Sequence, residues 1–163
     1  MYAPVYATYA ASLAAAGMGL AMARGRSPQQ WSAEIGKQLA ERIRSDVPAI
    51  RSAAIEQTYH IATRHRDVDL SSTVTALLHV YREDPAPRYR LASVAALHAI
   101  GNDAGMRGLS DHLPDQTDRY VQIISIAALR DHYGTDSYFD SDDVVQISRA
   151  ILEGLNPRSK PPA

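Results

Sequence analysis

The sequence predicts an all-α protein, an α-solenoid of three to four antiparallel helix pairs. Three observations predict it. Apolar residues recur at helical spacing through most of the chain. Pro, Gly and Asp residues interrupt those runs at short intervals, as helix starts and stops do. One pattern of seven residues occurs three times, and no Val/Ile/Thr-rich alternating run competes as a strand.

The first helix of the main domain begins after Arg24-Gly-Arg-Ser-Pro28. Ser27 is suited to cap it, Pro28 to open it, and Gln30 to complete a capping box. Trp31, Ile35, Leu39 and Ile43 form one stripe, and the helix runs to about Ser45. Asp46 and Pro48 start the next, which runs to about His65 with Ile50, Ala54, Ile55, Thr58 and Ile61 inward. Residues 67–72 connect it to a helix marked by Leu70, Val74, Leu77, Leu78 and Tyr81. Asp84-Pro85-Ala86-Pro87 ends that helix, because each proline turns its predecessor away from helical angles.

Residues 88–100 form a helix closed by Gly101, suited to the left-handed position past a helix end. Asn102 caps a shorter helix ending near Leu113-Pro114. Thr117 is expected to cap the next. Its residues Val121, Ile123, Ile124, Ile126, Ala127, Ala128 and Leu129 leave little polar face, so burial on several sides is expected. Gly134 closes it. Ser141 caps the last helix, with Asp142 and Asp143 in its first turn. Residues 156–163, with three prolines, read as a frayed tail.

The organisation is then residues 1–26 as an apolar N-terminal segment, 27–155 as the helical domain and 156–163 as the tail. The first 23 residues carry no charged side chain. They read equally as an export signal ending at Ala21-Met-Ala23 or as a first, buried helix, which leaves localisation open. The segment is interrupted by Thr8, Ser12, Gly17 and Gly19, and no stable membrane span is expected.

The repeat is Arg51-Ser-Ala-Ala-Ile-Glu-Gln, Arg90-Leu-Ala-Ser-Val-Ala-Ala and Gln122-Ile-Ile-Ser-Ile-Ala-Ala. Ile55, Val94 and Ile126 correspond, at spacings of 39 and 32 residues, a period that marks stacked helix pairs. Each segment lies near the start of the first helix of a pair and follows an acidic or proline-containing turn. With Asp84-Pro85…Arg90-Leu-Ala-Ser-Val-Ala-Ala-Leu97 as its best match, residues 46–154 resemble the HEAT and HEAT-like (armadillo-type) repeat family. The third unit departs from the pattern, with Gln122 in place of the Arg. The resemblance implies a curved stack whose second helices line a concave binding surface.

Composition narrows the function. A net charge of −1 argues against nucleic-acid binding, which needs a cationic excess. The absence of Cys removes disulfides, thiolate metal sites and cysteine nucleophiles. No two of the six histidines have the His-x-x-x-His spacing of helical metal ligands, and they read as surface or half-buried groups. The HEAT-like deoxyhypusine hydroxylases bind iron through His-Glu dipeptides, which this chain lacks. Asp136, Asp140, Asp142 and Asp143 lack the Gly and Glu of a calcium loop, since Val145 and Ile151 stand at those positions. No nucleophile elbow, phosphate loop or dinucleotide fingerprint occurs.

The expected activity is therefore non-catalytic, with no cofactor: a protein-interaction scaffold whose partner the sequence does not name. The family geometry places the candidate binding residues on second helices, as His79 and Arg82, Arg107 and Asp111, then Gln146 and Arg149. Arg51 and Arg90 read as structural partners of neighbouring turns. Two other functions come from the resemblance alone: bilin attachment or removal, and DNA-base excision.

Overall fold

A computed structural model describes residues 28–134. They form six α-helices and one 3-10 turn, with no strand among them. The helices are α1 (Pro28–Ile43), α2 (Pro48–Arg64), α3 (Val74–Glu83), α4 (Pro87–Ile100), α5 (Asp103–His112) and α6 (Arg119–Tyr133). The expected caps Ser27 and Ser141, the acidic residues from Asp136 to Asp143, and the apolar N-terminal segment lie outside the described residues.

The helices sort into two layers. In one, α4 packs between α2 and α6; in the other, α3 packs between α1 and α5. Helix α1 lies on α2, α3 on α4, and α5 on both α4 and α6. The residues following α2 are held on α1 rather than on α2. Ser32 Oγ accepts from Asp69 N, and a Cβ at Gly36 would collide with Ser72. That crossing carries α3 to the α1 side of the molecule. The expected connection over residues 67–72 ends in a 3-10 turn, Ser71–Thr73, so Leu70 is buried ahead of the helix it was expected to mark.

The repeat has a structural counterpart. Ile55, Val94 and Ile126 are each the eighth residue of their helix, and all three are in the core. Arg51, Arg90 and Gln122 are each the fourth. Arg51 makes an ion pair with Asp84 (Nε to Oδ2, 2.9 Å) and donates to Ser45 O at 2.7 Å. Arg90 donates to Gln116 Oε1 at 3.2 Å. In both cases the partner stands three residues before the next helix of the layer, so the arginines do join neighbouring turns. Gln122 lacks the charge, yet its amide donates to Gln116 O, six residues back, as Arg51 does to Ser45 O.

Helix ends follow local chemistry. Asn102 accepts from Gly105 N at 2.8 Å, and Gly101 sits at φ +66°. The expected Thr117 cap is corrected to Asp118, whose carboxylate accepts from Val121 N at 3.0 Å. A carboxylate at the positive end of a helix outcompetes a hydroxyl one residue earlier.

Core packing is close because the facing residues are small. Ala54 and Ala96 are buried in the α2/α4/α6 layer. Ser93 and Ser125 are buried there too, each hydroxyl satisfied by its own helix through Arg90 O or Val121 O at 2.7 Å. Tyr81 of α3 is fully buried, its hydroxyl 3.1 Å from Ser125 Oγ of α6. Two expectations of burial fail. Ile50 is 45% exposed, although the equivalent Tyr89 and Val121 are buried. Tyr89 lies under Arg51 of the preceding helix, whereas α2 is the first described member of its layer. On α6 the inner face is buried, but Tyr120 is 74% and Ile124 43% exposed.

Candidate functional site

The proposed binding residues fall on two touching helices. In α3, burial of Val74, Ala76, Leu77, Val80 and Tyr81 leaves His79 and Arg82 exposed. In α5, burial of Gly105, Met106 and Leu109 leaves Arg107 and Asp111 exposed, one turn apart. The helices approach closely at Gly108, where an added Cβ would collide with the tip of Leu78. Leu78 precedes His79 and Gly108 follows Arg107, so the contact point adjoins both pairs. Gln146 and Arg149 lie outside the described residues.

These side chains are held loosely. Arg82 Nη2 is 3.3 Å from Glu83 Oε1, and Arg107 Nη2 is 3.8 Å from Asp103 Oδ2. Such exposed pairs contribute at most about 1 kcal/mol, so either can be exchanged for a partner's charge at little cost. His79 lines a small cavity of about 180 Å³ with Arg44, Arg51, Glu83 and Asp84. The cavity floor is occupied by the Arg51–Asp84 pair, whose side chains are 16% and 5% exposed. Cation and carboxylate are already paired there by charge, although Arg51 Nε makes no well-aligned hydrogen bond, and the pairing suits structure better than ligand capture.

Separate histidine readings missed one grouping. His65, His98 and His132 line a cavity of about 560 Å³ where α2, α4 and α6 end. His98 Nε2 is 2.9 Å from Asp131 Oδ2, and His132 Nε2 is 3.3 Å from Asp103 Oδ1. Among the described residues no group of three or more His, Asp or Glu could hold a metal ion. The pairs instead tie α6 to α4 and to α5. Spacing along one helix carries no trace of this grouping. Position within the repeat does, since each histidine stands in or just after the last turn of a repeated helix.

The apolar exposure was also missed. Val47, Ile50, Tyr59, Tyr120 and Ile124 are the large exposed apolar residues among those described. All belong to α2 or α6 or to the residue before α2; none is on α1, α3 or α5. Among the described residues no helix is long and apolar enough to cross a membrane. The chain matches no family model, no curated protein and no solved structure.

Proposed function

We propose that the chain is a HEAT-like α-solenoid that acts as a non-catalytic scaffold, engaging a protein partner through the α3/α5 face. The carrying observation is the set His79, Arg82, Arg107 and Asp111, exposed on two helices that touch at Leu78 and Gly108. The solenoid reading is supported by the matched fourth and eighth positions of α2, α4 and α6, and by arginines reaching the turn of the next unit. Cations and carboxylates both stand on this face, Arg82 and Arg107 with Glu83, Asp103 and Asp111, so a polar partner surface of mixed charge fits it. Complementary charges fix register and speed encounter more than they add affinity.

Reversing both arginines tests this. The full chain carrying Arg82→Glu and Arg107→Glu is compared as bait with wild type and with Arg130→Glu, an exposed change on α6. Proteins bound by wild type and by Arg130→Glu should be lost from the double variant at equal salt. Retention of the same proteins by the double variant overturns the assignment of this face.

A further inference from the structure

We infer that the cavity where α2, α4 and α6 end binds a small organic acid, a carboxylate carried on a short apolar body. The inference does not depend on the α3/α5 face, since His79, Arg82, Arg107 and Asp111 do not line this cavity. Its volume is about 560 Å³, within the range of about 300–1,000 Å³ of small-molecule sites. A bare inorganic anion would leave most of that space empty.

Two kinds of wall meet there. Ala62, Val68, Leu70, Ala99 and Ile100 are the apolar part. Ala62 and Leu70 belong to the buried core, so the apolar wall is continuous with it. His65, Arg66, His98, Asp131 and His132 are the polar part. Apolar lining with a few convergent polar groups is the composition of a site that orients a small molecule.

Charge gives the ligand its sign. The carbonyl ends of three helices favour basic residues, which explains why histidines gather here. It does not explain how they are paired. Asp131 is engaged by His98, with Nε2 2.9 Å from Oδ2. His132 is engaged by Asp103, 3.3 Å away and outside the lining. That leaves His65 and Arg66, successive residues at the end of α2. Among the described residues neither side chain has a hydrogen-bond or ion-pair partner. His65 is half-buried and Arg66 is exposed.

Arg66 offers N–H donors only, in the planar fork that matches a carboxylate. An amine would meet that guanidinium as a like charge. A metal ion lacks ligands, because no group of three or more His, Asp or Glu among the described residues could hold one. The last-turn carbonyls of α2 and α4 oppose an anion, but one in each helix is already taken. Ile61 O accepts from His65 N and Leu97 O from Gly101 N. A carboxylate can therefore take Arg66 while its apolar body covers Val68, Leu70 and Ile100.

Hexanoate is the probe, titrated into the full chain at fixed pH and ionic strength while NMR follows the imidazoles of His65, His98 and His132. It should shift all three with one dissociation constant of about 1 mM or tighter. Acetate keeps the charge and loses the body; 1-hexanol keeps the body and loses the charge. Each should bind at least about tenfold more weakly. Arg66→Ala should weaken hexanoate by at least about tenfold. Arg88→Ala, at the opposite end of α4, should leave it within about twofold of wild type. Both arginines are exposed, and circular dichroism checks that helix content is unchanged. No shift at about ten times the expected dissociation constant overturns the site. Acetate or hexanol binding as tightly as hexanoate overturns the ligand class. Hexanoate binding that survives Arg66→Ala overturns the placement of the carboxylate.

Discussion

The two helical layers are built from similar apolar stripes, yet they meet solvent differently. The α1/α3/α5 layer turns charged groups outward, including Lys37, Arg42, Arg82, Arg107 and Asp111. The α2/α4/α6 layer exposes charged groups as well, Glu56, Arg88 and Arg130 among them, but adds the large apolar side chains of Ile50, Tyr59, Tyr120 and Ile124. A single helix wheel does not separate these cases, because Ile55 and Ile124 are equally apolar. What separates them is whether another helix lies against that side. The layer with the repeated sequence is therefore also the layer with unused apolar surface.

Substitutions that sharpen this contrast differ in size. Leu97 is fully buried on α4, the helix with the most neighbours. Leu97→Ala should cost about 2–5 kcal/mol in chemical denaturation. Ile124→Ala on the exposed side of α6 should cost less than about 1 kcal/mol. Equal losses at the two sites would mean that the α6 surface is covered in the folded protein.

A second comparison lies along the α2/α4/α6 layer. The first junction is ionic, Arg51 with Asp84, and the second is neutral at its acceptor, Arg90 with Gln116. Asp84→Ala strands a largely buried guanidinium and should cost about 2–3 kcal/mol. Gln116→Ala removes hydrogen bonds to Tyr81 O and Arg90. It should cost about 1–2 kcal/mol by the same denaturation measurement. The reverse order would show that charge is not what sets the strength of the first junction.

Smaller effects test the local assignments. Asp118→Ala should lower stability by about 1 kcal/mol, with Thr117→Ala staying within about 0.5 kcal/mol. Thermal melts of both variants check which residue caps α6. On the α1 side, Asp69 accepts hydrogen bonds from the Ser71 side chain and backbone, which hold its carboxyl below the ordinary value. A depressed folded-state pKa gives stability that is present above the unfolded value and lost as pH falls through the folded one. Asp69→Asn should therefore flatten the decline of melting temperature between about pH 5 and pH 2.5. An unchanged slope would mean that these hydrogen bonds do not persist in solution.

Much of the helical layout was legible because its signals are local. Pro48 opens a helix, Asn102 caps one, and Gly101 and Gly134 close two, each through its own backbone chemistry, whereas Pro87, read only as ending the preceding helix, is the first residue of the next. The buried equivalence of Ile55, Val94 and Ile126 was legible because a repeated unit repeats its environment. The cap at Asp118 was misplaced by one residue, since Thr117 and Asp118 both suit the role. At the candidate site, the exposure of His79, Arg82, Arg107 and Asp111 followed from helix periodicity. Their proximity depends on Gly108 meeting Leu78, a contact between residues 30 apart in sequence.

The sequence by itself determined that the described residues are helical, where most of those helices begin and end, and that Ile55, Val94 and Ile126 stand in equivalent buried places. Those properties depend on spacings of a few residues, so the chain carries them wherever it goes. Only the tertiary structure decided that α3 crosses to α1, that Ile50 and Ile124 meet solvent, and that three histidines share one cavity. These depend on which surfaces lie against one another, and burial belongs to such a pair of surfaces rather than to either residue alone.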